Sequence, residues 1–183
     1  MKSSGINAQQ QKIYLLSGIL MFILGGALMF VIDPHLKKIG LYGMVDLEFA
    51  GGVSGFTHVV REMGPEGLQF LLQWFWVDYL YPIAYGLFFY LGLKKYLPAL
   101  TASKTVRTGL AAIPIATAVL DWCENTIEIL LIRHNLAWTS YTLTLHTTVV
   151  YAKWIFALVM ILLWVVAGFV YVKKAKGREV KEN

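Results

Sequence analysis

Cysteine is almost absent from this 183-residue sequence, and charged residues are few. The single cysteine, Cys123, excludes an internal disulfide bond and a thiolate metal cluster, and we expect it to be a small buried apolar residue. Charged residues make up 15% of the chain, whereas soluble domains average about 25%. The mean hydropathy is +0.59. This composition argues against a soluble domain and indicates an integral membrane protein.

Long apolar runs are what the sequence has instead. Each of four runs reaches the roughly 20 residues that a helix needs to cross a bilayer. The runs are residues 13–32, 68–93, 110–132 and 141–172. We therefore predict an all-α protein, a single integral membrane domain over residues 1–183, built as a bundle of four transmembrane helices.

The connection between the first two runs, residues 33–66, is long for a small bundle. Within it, apolar side chains recur at helical spacing, which predicts a short amphipathic helix lying on the membrane surface as an outer cap. These side chains are Val53, Phe56, Val60 and Met63. Gly64 and Pro65 then end this helix and begin the next one.

Lysine and arginine residues are distributed unequally over the connections. Most of them lie near the N-terminus, between the second and third runs, and in the C-terminal tail. By the positive-inside rule both termini are cytoplasmic, which predicts a multi-pass protein of the cell membrane whose partner is the lipid bilayer. Basic residues interleaved with aromatics on a soluble surface are absent, so no nucleic-acid partner is predicted.

The second run contains an acid surrounded by aromatic residues. Trp74, Asp78, Tyr81 and Tyr85 are spaced four, three and four apart, so they share one face of the helix. Pro82 has no N–H group to donate to the carbonyl oxygen of Asp78. We expect a polar spot at this point of an otherwise apolar helix.

The third run contains a stripe of polar residues. The positions i, i+4, i+7, i+8 and i+11 fall on one helical face and are occupied by Thr117, Asp121, Glu124, Asn125 and Glu128. A charge at mid-bilayer costs about 2.5 to 3.5 kcal/mol on insertion scales, so such residues normally face the protein interior and have partners. The stripe should therefore face the other helices.

The fourth run supplies the complementary groups. Lys153 is the only lysine or arginine inside the four runs, and His146 lies seven residues earlier on the same face. Glu124 is the expected partner of Lys153. From helical rise alone, the ionisable residues lie between the middle and the outer rim of the bilayer. We predict a polar pocket beneath the cap, with Glu128 and His146 at its rim.

This pocket is predicted to bind or act on an amphiphilic, lipid-like small molecule. In a catalytic version, Asp121 or Glu124 is the acid/base and Lys153 the electrostatic stabiliser. The ligand-binding residues are predicted to be Asp78, Tyr81, Tyr85, Asn125, His146 and Glu128. No cofactor is assigned, and no metal is predicted because the ligand spacings typical of metal sites are absent.

Two alternatives stay open. The buried charges are also compatible with a structural network that fixes the helices in register, or with a proton-relay network in a transporter-like subunit. Three or four carboxylates face one lysine, and this excess favours a functional pocket. Whether the protein is an enzyme is not decided by the sequence.

Three short motifs carry a resemblance. They are D-x-x-Y-P at residues 78–82, D-x-x-E-N at residues 121–125 and K-W at residues 153–154. Together they resemble a pattern in an uncharacterised group of short four-helix prokaryotic integral membrane proteins, over roughly residues 64–156. The resemblance implies that the three polar positions belong together, and it implies no activity.

Overall fold

The computed structural model describes residues 6–182, with side chains up to residue 177. Within this part of the chain all secondary structure is helical, which confirms the all-α class. The helices are α1 (Ala8–Ala27), a π-helical turn (Leu28–Ile32), α2 (Asp33–Gly40), α3 (Met44–Glu48), α4 (Gly52–Leu100), α5 (Lys104–Ile132) and α6 (Ser140–Glu182).

Each apolar run lies within one long helical segment. The first helix extends beyond its predicted end, because α1, the π-helical turn and α2 follow one another without a break from Ala8 to Gly40. Pro34 does not interrupt this helical segment. It lies in the first turn of α2, directly after the turn in which the amide of Asp33 donates to the carbonyl of Leu28. A proline is tolerated there, since the first turn needs no N–H donor.

The cap is confirmed as a helix over residues 52–63. Phe56, Val60 and Met63 are buried, whereas Val53 is exposed and does not contribute to the buried face. Gly64 has φ +63° and ψ 176°, so the chain breaks its helical path there and resumes it at Pro65. A positive φ suits glycine, and the break turns the cap helix away from the axis of the rest of α4.

Helix α4 is the centre of the fold. It packs against α1, α5 and α6, and α5 also packs against α6. In the described part of the chain, α1 makes no comparable contact with α5 or α6. Close approach of α1 to α4 depends on two glycines, because a Cβ atom on Gly18 or Gly25 would come within about 3 Å of Phe88 or Tyr81.

Two helices are long and apolar enough to cross a membrane, Ala8–Gly40 and Ser140–Gly177, with mean hydropathies of 2.5 and 2.8 in their most apolar windows. They are therefore candidate membrane spans. In the described part of the chain, α4 and α5 do not meet the same criterion, because they contain the carboxylates and many of the tyrosines and tryptophans. Cys123, expected to be buried, is exposed on α5 next to Trp122, so that expectation was wrong.

The molecule has two distinct ends. The cap end comprises α2, α3 and the first part of α4. At the opposite end, which we call the tail end, Lys174 donates to the carbonyl of Ala99 and the hydroxyls of Tyr14 and Tyr96 are 3.4 Å apart. The start of α1, the α4–α5 connection and the part of α6 around Lys174 are therefore at the same end of the molecule.

Candidate functional site

The polar stripe of α5 is buried, as predicted. Its five side chains are between 0% and 6% exposed, although three of them are carboxylates. The spacing of the stripe places it on the single face of α5 that meets α4 and α6. The opposite face carries exposed Val119 and Trp122. Helical periodicity alone therefore separates the polar interior from the apolar exterior.

Lys153 is the centre of the charged cluster. Its Nζ atom lies 2.5 Å from Oε2 of Glu124, 3.0 Å from Oε2 of Glu48 and 3.6 Å from Oδ1 of Asp121. The predicted pairing with Glu124 is thus confirmed. Three carboxylates share one ammonium group, so the cluster carries an excess of acid. Within the described chain, Oε1 of Glu124 is buried without a hydrogen-bond donor.

Glu48, the last residue of α3, was missed by the sequence analysis. Its side chain reaches from the cap into the bundle, where Oε2 accepts hydrogen bonds from Lys153 and from the indole of Trp154. Its spacing did not distinguish it, because it lies between Leu47 and Phe49 in a connection that contains other acids such as Asp46.

Asp33 was missed as well. Its carboxylate accepts from the backbone amide of Met44 at 2.8 Å and lies 3.0 Å from the ammonium of Lys37. Lys37 also lies 3.5 Å from Asp46. These contacts hold α3 against the end of the first long helix. The position of Glu48 therefore depends on Asp33, which places the end of the cap over the bundle.

Asp121 and Asp78 have different surroundings. Asp121 pairs with Lys153 and accepts a hydrogen bond of 2.9 Å from the hydroxyl of Tyr85. Asp78 is 9% exposed, and its carboxylate makes no ion pair or hydrogen bond with any described residue. Tyr81, the other predicted aromatic neighbour, packs edge-on against Tyr85. Trp74 lies outside this group, since it is partly exposed and packs against Phe70 and Trp76.

Pro82 leaves the carbonyl of Asp78 without its helical donor, and α5 supplies the replacement. The side-chain amide of Asn125 donates to this carbonyl at 3.3 Å. One residue on, the indole of Trp122 donates to the carbonyl of Tyr79 at 2.9 Å. A buried carbonyl without a donor costs about 1 to 3 kcal/mol, so Asn125 has a structural role next to the site rather than a place on its surface.

Glu128 and His146 form a separate pair. Oε1 of Glu128 lies 3.1 Å from Nε2 of His146, and both residues are at most 3% exposed. The cap residue Phe56 packs against the imidazole, with ring centroids 6.2 Å apart. Their predicted place at an open rim was therefore wrong, because the cap covers them. Glu124, Glu128 and His146 each have one possible metal-ligand atom, and these atoms lie within 4.8 Å of one another. However, Glu128 and His146 already form a hydrogen bond with each other.

A cavity of about 190 Å³ lies beside the lysine cluster. Its charged side contains Asp33, Glu48, Asp78, Asp121 and Lys153, and its aromatic side chains are Tyr81, Tyr85, Phe89 and Trp154. The rest of the lining is mostly aliphatic or thioether. Of the predicted site residues, Asp78, Tyr81, Tyr85, Asp121 and Lys153 line this cavity, whereas Glu124, Asn125, Glu128 and His146 do not.

The cavity lies in the gap between the first long helix and α6. Leu28 and Met29 line it on one side, and Ala157, Met160 and Ile161 line it on the other. Met29 and Ile161 are 53% and 45% exposed, so the opening is sideways and apolar. Glu48 and Met44 of α3 lie over the cap end of the cavity. The cavity thus combines an acidic end with an apolar side opening.

Comparison with protein-family models, with curated proteins and with solved structures found no match to this chain. Its function has to be inferred from the geometry of the site.

Proposed function

We propose that the protein is a multi-pass membrane protein whose cavity binds the head of an amphiphilic small molecule, with the cap outside and both termini cytoplasmic. All four long helices then cross the bilayer. The low hydropathy of α4 and α5 has a structural reason, since their carboxylates face inward and are buried. Only 11% of the most apolar window of α6 is buried, so this surface requires an apolar environment.

The observation that carries the proposal is the shape of the cavity. One end has ionisable groups, the walls are apolar, and the side opening lies between exposed Met29 and Ile161. In a membrane this opening faces lipid tails. A molecule with a polar head and an apolar tail matches both environments, because the head replaces lost hydration by contacts with Asp78, Asp121 or Lys153.

The volume supports a partly enclosed ligand. A cavity of about 190 Å³ is smaller than the roughly 300 to 1,000 Å³ of typical ligand pockets. It accommodates a head group and the first carbons of a chain, and the remaining tail extends through the opening into the bilayer. A ligand that enters sideways needs no path across the membrane, which favours a binding or catalytic site over a transport route.

If the site is catalytic, Asp121 is the better candidate for acid/base chemistry than Glu124. Asp121 lines the cavity and is within reach of a bound head group, whereas Glu124 is 0% exposed and lies behind Lys153. Lys153 lines the cavity too, and it is placed to stabilise negative charge that develops near Asp121.

The second candidate function is structural. Lys153 joins α6 to Glu48 of the cap and to two carboxylates of α5, so one ammonium group holds three elements together. A network of this kind fixes helix register without any ligand.

The test is native mass spectrometry of the protein purified from its membranes in a mild detergent. We expect a small molecule to remain bound and to be lost in Ala157→Phe, which fills the cavity from α6. Ala112→Phe, on an exposed face of α5, is the matched control and should keep it. A well-folded Ala157→Phe variant with unchanged bound mass, or a parent protein that carries nothing, would favour the structural network.

A further inference from the structure

We infer that the head group bound in this cavity is cationic, an ammonium group held by Asp78. The inference rests on the proposed function and names the class of its ligand. It comes from the charge of the cavity wall, from the unpartnered carboxylate of Asp78, and from the aromatic side chains beside it.

The cavity wall has more negative than positive groups. Asp33, Glu48, Asp78 and Asp121 face one cation, Lys153. Lys37, which does not line the cavity, neutralises the charge of Asp33. Lys153 is shared by Glu48, Asp121 and the buried Glu124. A cationic ligand therefore relieves repulsion among the carboxylates, while an anionic head would add to it.

Asp78 is the acid that lacks a partner. Asp121 has Lys153 and Tyr85, and Glu48 has Lys153 and Trp154. Asp78 is nine-tenths buried, lines the cavity, and has no cation or donor for its carboxylate within residues 6–177. Buried carboxylates normally have a cation or several donors, so a cation in the cavity is the missing partner.

The aromatic lining fits the same ligand. Tyr81 and Tyr85 pack edge-on with centroids 5.2 Å apart, and both line the cavity next to Asp78. Aromatic faces attract ammonium groups, and they do so most strongly where water is excluded. The cluster already contains one such contact, because Nζ of Lys153 lies 5.3 Å from the centroid of the Trp154 ring. Carboxylate and aromatic groups together distinguish an ammonium group from a hydroxyl or a phosphate.

The experiment compares three probes with one twelve-carbon tail: dodecylamine, dodecanol and dodecanoate. Binding to the full chain in neutral detergent micelles is followed at neutral pH by the change in tryptophan fluorescence, since Trp154 lines the cavity. We expect dodecylamine to bind about tenfold more tightly than dodecanol, and dodecanoate to bind more weakly still. In Asp78→Asn the preference for the amine should be lost, while dodecanol binding stays within about twofold.

Glu66→Gln is the matched control, because Glu66 is an exposed acid on the same helix. It removes an equal charge and should leave the amine preference intact. This result would show that the preference comes from the cavity and not from partitioning of the amine into the micelle. Thermal unfolding of each variant shows whether it is folded. Lys12→Met, remote from the cavity, controls for the general effect of net charge on the probes.

The two proposals fail in different ways. If the three probes bind equally, or if Asp78→Asn keeps the amine preference, the cationic head is refuted. Sensitivity of this binding to Ala157→Phe would still support the cavity as an amphiphile site. If neither Ala157→Phe nor a second cavity-filling variant, Val45→Phe, weakens the binding of any probe, the proposed function itself is refuted.

Discussion

The two ends of the bundle each contain a concave site of similar volume and opposite charge. The cap-end cavity of about 190 Å³ is acidic, covered and apolar at its opening. The tail-end groove of about 200 Å³ is lined by Lys94, Lys104 and Arg107. In the described part of the chain these three cations have no ion-pair partner, although Lys94 lies over the ring of Tyr90.

The two ends of the bundle therefore stabilise their charged side chains in different ways. Lys94 and Lys104 are exposed and Arg107 is half-buried, so solvent reaches these cations and they need no protein partner. Asp121 and Glu124 near the cap end are buried, and they depend on Lys153 and, for Asp121, on Tyr85. Aromatic rings contribute to the packing of the tail end, where Tyr14 stacks on Phe88 and Trp164 lies beside Phe88. Removing one charge should therefore have very different effects at the two ends.

The largest expected effect is that of Lys153→Met. It leaves Glu124 fully buried without a cation, and loss of one partner of a buried pair costs about 3 to 5 kcal/mol. Lys94→Met in the groove should change stability by less than about 0.5 kcal/mol, since it is an exposed site. Unfolding by sodium dodecyl sulfate in mixed micelles measures both free energies.

The rescue of that variant sharpens the comparison. Adding Glu124→Gln to Lys153→Met removes the stranded charge, so we expect it to recover much of the lost stability. The double variant should fold well and still prefer dodecylamine, because Asp78, which holds the ammonium group, is unchanged. Equal destabilisation by Lys153→Met and Lys94→Met would refute the contrast between the two ends.

Asn125→Ala should cost about 1 to 3 kcal/mol, because it leaves the buried carbonyl of Asp78 without a donor. Pro82→Ala restores the main-chain N–H donor to this carbonyl, so Asn125→Ala should cost less stability in the Pro82→Ala background. A double-mutant cycle of the two substitutions checks this through the sign of the coupling energy. Additive losses would show that the amide of Asn125 does not replace the missing N–H group.

Gly64→Ala should destabilise the protein by about 1 to 2 kcal/mol, because the positive φ of this residue disfavours a Cβ atom. No neighbouring atom lies within 4 Å of that Cβ, so the cost is in the backbone alone. Gly109 near the tail end is helical and equally uncrowded, and alanine there should stabilise by about 0.5 to 1 kcal/mol. The same unfolding titration distinguishes the opposite signs.

The smallest effect is expected for Trp154→Phe. It removes one hydrogen bond to Glu48 while keeping an aromatic ring, and it should cost about 0.5 to 1.5 kcal/mol. Trp122→Phe is the natural control, since it removes an indole donor that faces a backbone carbonyl and not the acidic cluster. A difference in the stability of the cap, measured as amide exchange of α3, should appear for Trp154→Phe only.

The buried stripe of α5 and its pairing with Lys153 were predictable because both follow from helical spacing within apolar runs. Glu48 and the cover over His146 were not, since they depend on how the cap folds back across the bundle. That path is set by Asp33, by the left-handed backbone at Leu41 and by the break at Gly64. The sequence predicted the break at Gly64, but the other two have no periodic signal. Likewise, the gap between α1 and α6 arises because, within residues 6–182, α1 packs mainly on α4.

The most direct measurement is photolabelling with dodecylamine that has a diazirine midway along its tail, followed by mass-spectrometric mapping of the adducts. If the cationic head enters through the side opening, labels should concentrate on Met29, Ala157 and Ile161 and should be competed by unlabelled dodecylamine. The account predicts little competed label on exposed Phe22 or Phe169, which face away from the cavity lining. Uniform, uncompeted labelling of all exposed apolar residues would contradict it.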